Sequence, residues 1–133
     1  MRFIVPILLS FIFSITQAKE ITATSWLVAD DAGIVLKSQN IDEVRSIASI
    51  SKLMTVMIVM DANQDMDERL EKYTRREHIQ LALVHSDNHS ADVLCNNYPG
   101  GKNACVIAMN FKASTLYMPT THFVEPTGLS VFN

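Results

Sequence analysis

Two hydrophobic rhythms alternate along the chain. Between residues 24 and 38, TSWLVADDAGIVLKS, two short apolar runs rich in β-favouring residues flank Asp30-Asp31-Ala32-Gly33 and together predict a β-hairpin. After the polar connector QNIDEVRSIA, the stretch from Ile50 to Met60 is almost unbroken apolar. Its methionines and leucine favour helix, so residues 49–62 are expected to form a central helix, apolar all round and therefore buried. NQDMDERLEK reads as a charged, solvated connector with helical character at its end. Thr74-Arg75-Arg76-Glu77 is a capping box that starts a helix running from Arg75 to about His85. HSDNHSADVLCNNYPGG turns, opens another helix near His89 and stops at Tyr98-Pro99-Gly100-Gly101. KNACVIAMNFKASTLYM is an amphipathic helix ending before Pro119, and TTHFVEPTGLSVFN is extended and loop-rich. A hairpin, then helices, then an extended end predicts an α+β fold with helices packed on a small sheet.

Composition narrows the class. A chain of 133 residues that is 48% hydrophobic and 19% charged folds, and as one domain at most. Its formal charge of −3 and the lack of a Lys/Arg stripe argue against a nucleic-acid partner. The first residues read as a targeting segment: Arg2, an apolar stretch from Phe3 to Ile15, then Thr16 and Ala18 spaced as a signal-peptidase site. A signal peptide over residues 1–18, cleaved after Ala18, implies the periplasm or the cell exterior; an uncleaved anchor is the alternative, although the apolar core falls short of the ~20 residues a spanning helix needs. In such an oxidising compartment Cys95 and Cys105 can close a disulfide between two helices. The other reading is two separate small core residues. His78, His85, His89 and His122 are scattered, and no Cys or His cluster has metal-ligand spacing, so no metal is expected.

One short stretch carries chemistry. In ASISKLMT, Ser49 and Lys52 stand three apart at the mouth of the apolar helix, hence on one face. A serine hydroxyl is a weak nucleophile until a base takes its proton, and a lysine can be that base once burial disfavours its charged form. The helix N-terminus favours a developing alkoxide. The plain alternative is an N-capping Ser49 and a snorkelling Lys52. Ser86-Asp87-Asn88, between two predicted helices, is by itself a turn with a cap. A Ser-x-x-Lys nucleophile followed by Ser-Asp-Asn is nevertheless the signature of penicillin-binding proteins and class A β-lactamases.

Five ordered blocks extend that likeness: SWLVADDAGIVL, RSIASISKLMT, LALVHSDN, NNYPGG and AMNFKASTLYMPTTHFVEPTGLSVFN. Over most of residues 24–133 the chain resembles bacterial serine D-alanyl-D-alanine carboxypeptidases, above all the low-molecular-weight endopeptidase branch of the penicillin-binding protein 7 type. The resemblance implies a partial transpeptidase fold over residues 19–133. It implies that Ser49 is acylated, that Lys52 is its base, that Ser86 relays the proton to the leaving amine, and that Asn88 binds the substrate peptide and helps orient Lys52. Asp87 occupies a variable position and is assigned no chemistry. The implied substrate is the D-alanyl peptide of peptidoglycan, with β-lactams acylating the same serine.

Three departures accompany the resemblance. The Lys-[Ser/Thr]-Gly motif, which holds the substrate carboxylate on an edge strand, does not occur, and Pro126-Thr127-Gly128 is no substitute because it lacks the cation. The Ser49-to-Ser86 spacing is shorter than the family pattern by about twenty residues, missing between NQDMDERLEK and YTRRE, at Lys72/Tyr73. Tyr117 stands where the family usually has glycine. Weak turnover and self-association through an exposed sheet edge are therefore expected, with a non-catalytic module that binds peptidoglycan or a partner protein, or a gene fragment, as the other reading.

Overall fold

The computed structural model describes residues 21–133; the predicted signal peptide lies outside them. The contacts divide the described residues into two compact units, one up to Ile41 and one from Asp42 to Asn133. In the first, β1 (Trp26–Ala29) and β2 (Val35–Gln39) pair antiparallel, with Trp26 opposite Gln39 and a register irregularity at Val28/Ala29. The turn forms because Asp30 Oδ1 accepts the N–H groups of Ala32 at 3.0 Å and Ile34 at 2.7 Å.

The second unit is helical. A single 3₁₀ turn (Ala48–Ile50) leads into α1 (Ser51–Asp61); α2 (Arg75–Val84), α3 (Asn88–Asn96) and α4 (Gly101–Thr115) follow. α1 is the centre and packs against the other three. Met54, Val56, Ile58 and Val59 of α1 are buried with Leu94 and Met109, each side chain contributing about 1.5–3 kcal/mol by leaving water. The expectation that α1 is buried all round needs correcting. Leu53, Met57 and Met60 form an exposed stripe at helical spacing, because α2, α3 and α4 cover only the other side.

The charged connector is not helical at its end. Arg69–Leu70 (β3) and Tyr73–Thr74 (β4) make a two-residue antiparallel ladder instead. Two buried side chains impose this. Arg75 donates from Nε to Asp65 O at 3.1 Å and pairs with Glu68, while His78 Nε2 meets Leu70 O at 2.8 Å. The carbonyl is acceptor only, so His78 Nε2 donates and Nδ1 is left to accept from Ser90 Oγ at 3.0 Å. α2 starts at the capping box: Thr74 Oγ1 accepts from Glu77 N–H, and Glu77 Oε2 accepts from Thr74 N–H. Cys95 at the end of α3 is bonded to Cys105 in α4, with Cα atoms 5.4 Å apart.

Beyond α4 the chain has no regular element, yet it is tied down. Asn110 of α4 donates to Phe123 O at 2.8 Å and accepts from Phe123 N–H at 2.9 Å. Thr55 of α1 donates to Pro126 O at 2.8 Å. These bonds lead the tail across α4 and α1 to the N-terminal end of α1.

Candidate active site

Sequence spacing alone would put Ser49 in the first α-helical turn. It lies instead in the 3₁₀ turn before α1, because Ala48 is left-handed at φ 47° and cannot belong to an α-helix. Ser49 is exposed, whereas Lys52, in the first turn of α1, is 1% exposed. The amine is hidden from water and the hydroxyl is presented to it. The Ser49 N–H has no acceptor among the described residues, as expected for the first turn of a helix.

Ser86 arrives from the junction of α2 and α3. It is also left-handed, at φ 55°, and the Asp87 N–H after it closes onto Leu81 O at 3.1 Å. Asp87 caps α3, its Oδ2 accepting from Ser90 N–H at 2.8 Å. Three polar groups then converge. Lys52 Nζ donates to Ser49 Oγ at 2.9 Å and to Ser86 Oγ at 3.4 Å, and Ser86 Oγ donates to Ser49 Oγ at 2.8 Å. Asn88 opens α3 nearby in sequence, but no hydrogen bond joins it to Lys52.

The lysine's third partner was not anticipated. Thr127 O accepts from Lys52 Nζ at 2.9 Å. Beside it, a Cβ on Gly128 would lie 1.8 Å from Ala48 O and 3.1 Å from Ser49 N, so this position excludes any side chain. The EPTGL block, which offers no cation, acts here through its backbone. Only the glycine hinted at a close approach.

These contacts match both states of the amine. An ammonium has three N–H donors, and three acceptors surround it. A neutral amine keeps two donors, for Thr127 O and Ser86 Oγ, and turns its lone pair to the Ser49 hydroxyl. Burial shifts Lys52 below the ordinary lysine range, opposed by the negative charges of Glu125 and Asp87. Asp87 is held below the usual carboxylate range by its hydrogen bonds from Ser90, and so keeps its charge. Among the described residues, no group of His, Cys, Asp and Glu side chains is arranged to hold a metal ion.

The profile of a family described as D-alanyl-D-alanine carboxypeptidase matches residues 13–71 and 64–133. The chain belongs to this family. It is 44% identical, over 136 aligned positions, to the D-alanyl-D-alanine endopeptidase of Pseudomonas aeruginosa and 42% identical, over 135, to that of Escherichia coli. Each alignment takes in 86% of this chain and 44% of the relative, so the chain spans less than half the length of these carboxypeptidase-family relatives. Both alignments are longer than the 133-residue chain, so the relatives carry residues with no counterpart here. The two pieces of the profile match overlap at residues 64–71, a stretch that includes the first strand of the short β3–β4 ladder. The fold agrees with the membership: the ampicillin-bound penicillin-binding protein D2 of Listeria monocytogenes superposes with a TM-score of 0.75 at 28% identity, covering 86% of this chain and 55% of that one.

Proposed function

We propose that the chain is a serine-type D-Ala-D-Ala carboxypeptidase or endopeptidase that works on peptidoglycan peptides through an acyl-enzyme at Ser49. The observation that carries this is the buried amine of Lys52, 2.9 Å from an exposed serine hydroxyl, in a chain of this family. Neutral Lys52 takes the Ser49 proton as Oγ attacks the D-Ala carbonyl. The Ser49 N–H, which has no acceptor among the described residues, is assigned to the oxyanion that forms. The proton then passes from Lys52 through Ser86 to the departing amine, breaking the peptide bond, and water hydrolyses the ester. Lys52 touches both hydroxyls, so the relay needs no rearrangement. Asn88, two residues beyond Ser86 at the start of α3, is assigned to the substrate peptide. The lysine is oriented by Thr127 O instead.

A β-lactam is taken to acylate Ser49 by the same first step. A compartment outside the cytoplasm, reached by cleavage near Ala18, suits the Cys95–Cys105 disulfide. No helix among the described residues is long and apolar enough to cross a membrane. Among the described residues, the exposed Leu53, Met57 and Met60 stripe and the unpaired edges of the hairpin offer surface for self-association.

The test is labelling with a fluorescent penicillin, comparing wild type with Ser49→Ala. Covalent label in the wild type alone supports the enzyme. No label in either supports the other reading, a non-catalytic module that binds peptidoglycan or a partner protein.

A further inference from the structure

Thr127 and Gly128 reach Lys52 and Ser49 from far along the chain, and one carboxylate holds them there. Glu125 Oε2 accepts from the Thr127 N–H at 2.7 Å and from its hydroxyl at 2.6 Å. Oε1 accepts from the Gly128 N–H at 2.7 Å and the Ser130 N–H at 3.2 Å. Asn133 closes the cage. Its Nδ2 donates to Glu125 Oε1 at 3.0 Å, to Glu125 O at 2.9 Å and to the buried Ser51 Oγ at 3.2 Å. Its Oδ1 accepts from the N–H groups of Val124 and Glu125.

A connecting loop does not need an ion at its centre. A carboxylate that has lost much of its water and gained five donors fixes the backbone around it closely, since each donor must stay in place for the charge to be tolerated. Four of those donors belong to Thr127, Gly128 and Ser130, and the fifth belongs to a side chain that also bonds the first turn of α1. Ser51 is the neighbour of Lys52. The cage is thus anchored to the helix it serves.

We infer that Glu125, locked by Asn133, is the positioning residue of the Ser49–Lys52 pair: it folds residues 125–130 into the turn that aims the Thr127 carbonyl at Lys52 and seats Gly128 on the Ala48–Ser49 peptide. The inference rests on the Ser49–Lys52 reading above. Glu125 makes no ion pair with Lys52. Its charge still favours the ammonium form. Partial burial opposes ionisation of Glu125, but its hydrogen bonds from Thr127, Ser130 and Gly128 outweigh that and hold it below the usual carboxylate range.

Two readouts on the full chain test this. One is the rate of fluorescent-penicillin acylation against pH. The other is the NMR titration of the Lys52 ε-methylene, which needs no reaction. Glu125→Gln removes the charge and turns an NH₂ group towards a backbone donor. It is expected to slow acylation about 10- to 100-fold. It also moves the rising limb of the pH profile, and the Lys52 titration, to lower pH, which a purely structural loss would not do. Asn133→Ala keeps the carboxylate and loosens the turn, so the rate falls with the midpoint in place. A Glu125→Gln protein that labels at the wild-type rate with an unmoved Lys52 titration overturns the inference and leaves the function of Ser49 standing. A wild type with no label at Ser49 overturns the function instead, and the Lys52 titration then decides on Glu125 by itself, a shift supporting it and no shift refuting it. Should Glu125→Gln fail to fold, Asn133→Ala decides, a wild-type rate counting against.

Discussion

Gly128 sits so close to Ala48 that a methyl group on it would come within 1.8 Å of the Ala48 carbonyl oxygen. The obstacle is backbone, and Gly128 itself is left-handed at φ 82°. Gly128→Ala is therefore expected to destabilise the fold by about 2–4 kcal/mol, combining overpacking with left-handed strain. The displaced segment carries Ser49, so acylation should fall even in protein that remains folded. Urea unfolding and penicillin labelling of the same preparation read both effects.

The pH dependence follows from Lys52. Its folded value lies below the ordinary lysine range, chiefly through burial, and the neutral form is the base. Acylation should rise with pH through that lowered value and then level off. Between it and the ordinary lysine value the unfolded chain binds more protons than the folded one, so stability also rises with pH across this window. Lys52→Met should abolish the rising limb and slow acylation about 10²- to 10⁴-fold, the usual worth of a general base. At the acid end Asp87 works in the same sense. Its folded value is depressed, so its contribution as cap of α3 is present above the ordinary carboxylate value and is lost as pH falls through the folded one.

Tyr117 is left-handed at φ 57° where α4 ends, and its side chain is 92% exposed. The ring buries almost nothing to offset the backbone cost. Tyr117→Gly should stabilise the protein by about 1 kcal/mol without changing acylation, measurable as a raised thermal midpoint.

Reduction of the Cys95–Cys105 bond opens a loop of sequence separation 10 between α3 and α4. The chain-entropy estimate for a loop of this size is about 2–3 kcal/mol. Both cysteines are fully buried, so a Cys95→Ala, Cys105→Ala double variant should unfold at correspondingly lower urea while keeping Ser49-dependent labelling where folded.

The parts of the fold legible in the sequence are the ones set by neighbours along the chain. The Thr74–Glu77 capping box needs four residues, and the Ser49–Lys52 pairing needs one helical turn. What escaped reading depends on distant segments or on backbone. The Thr127 carbonyl meets Lys52 across 75 positions and has no side-chain signature. The strand character of Arg69–Leu70 comes from the burial of Arg75 and His78 beneath it, which polar composition argued against. The exposure of Leu53, Met57 and Met60 could not be read because an apolar run tells how much surface seeks burial, not how many neighbours are present to bury it.

The most direct measurement is the mass of the chain after incubation with a penicillin, followed by peptide mapping, for wild type, Ser49→Ala and Lys52→Met. A single adduct on the peptide carrying Ser49, absent from Ser49→Ala and strongly slowed in Lys52→Met, is the expected result. An adduct on another residue, or equal rates with and without the Lys52 amine, would contradict the role given to this pair.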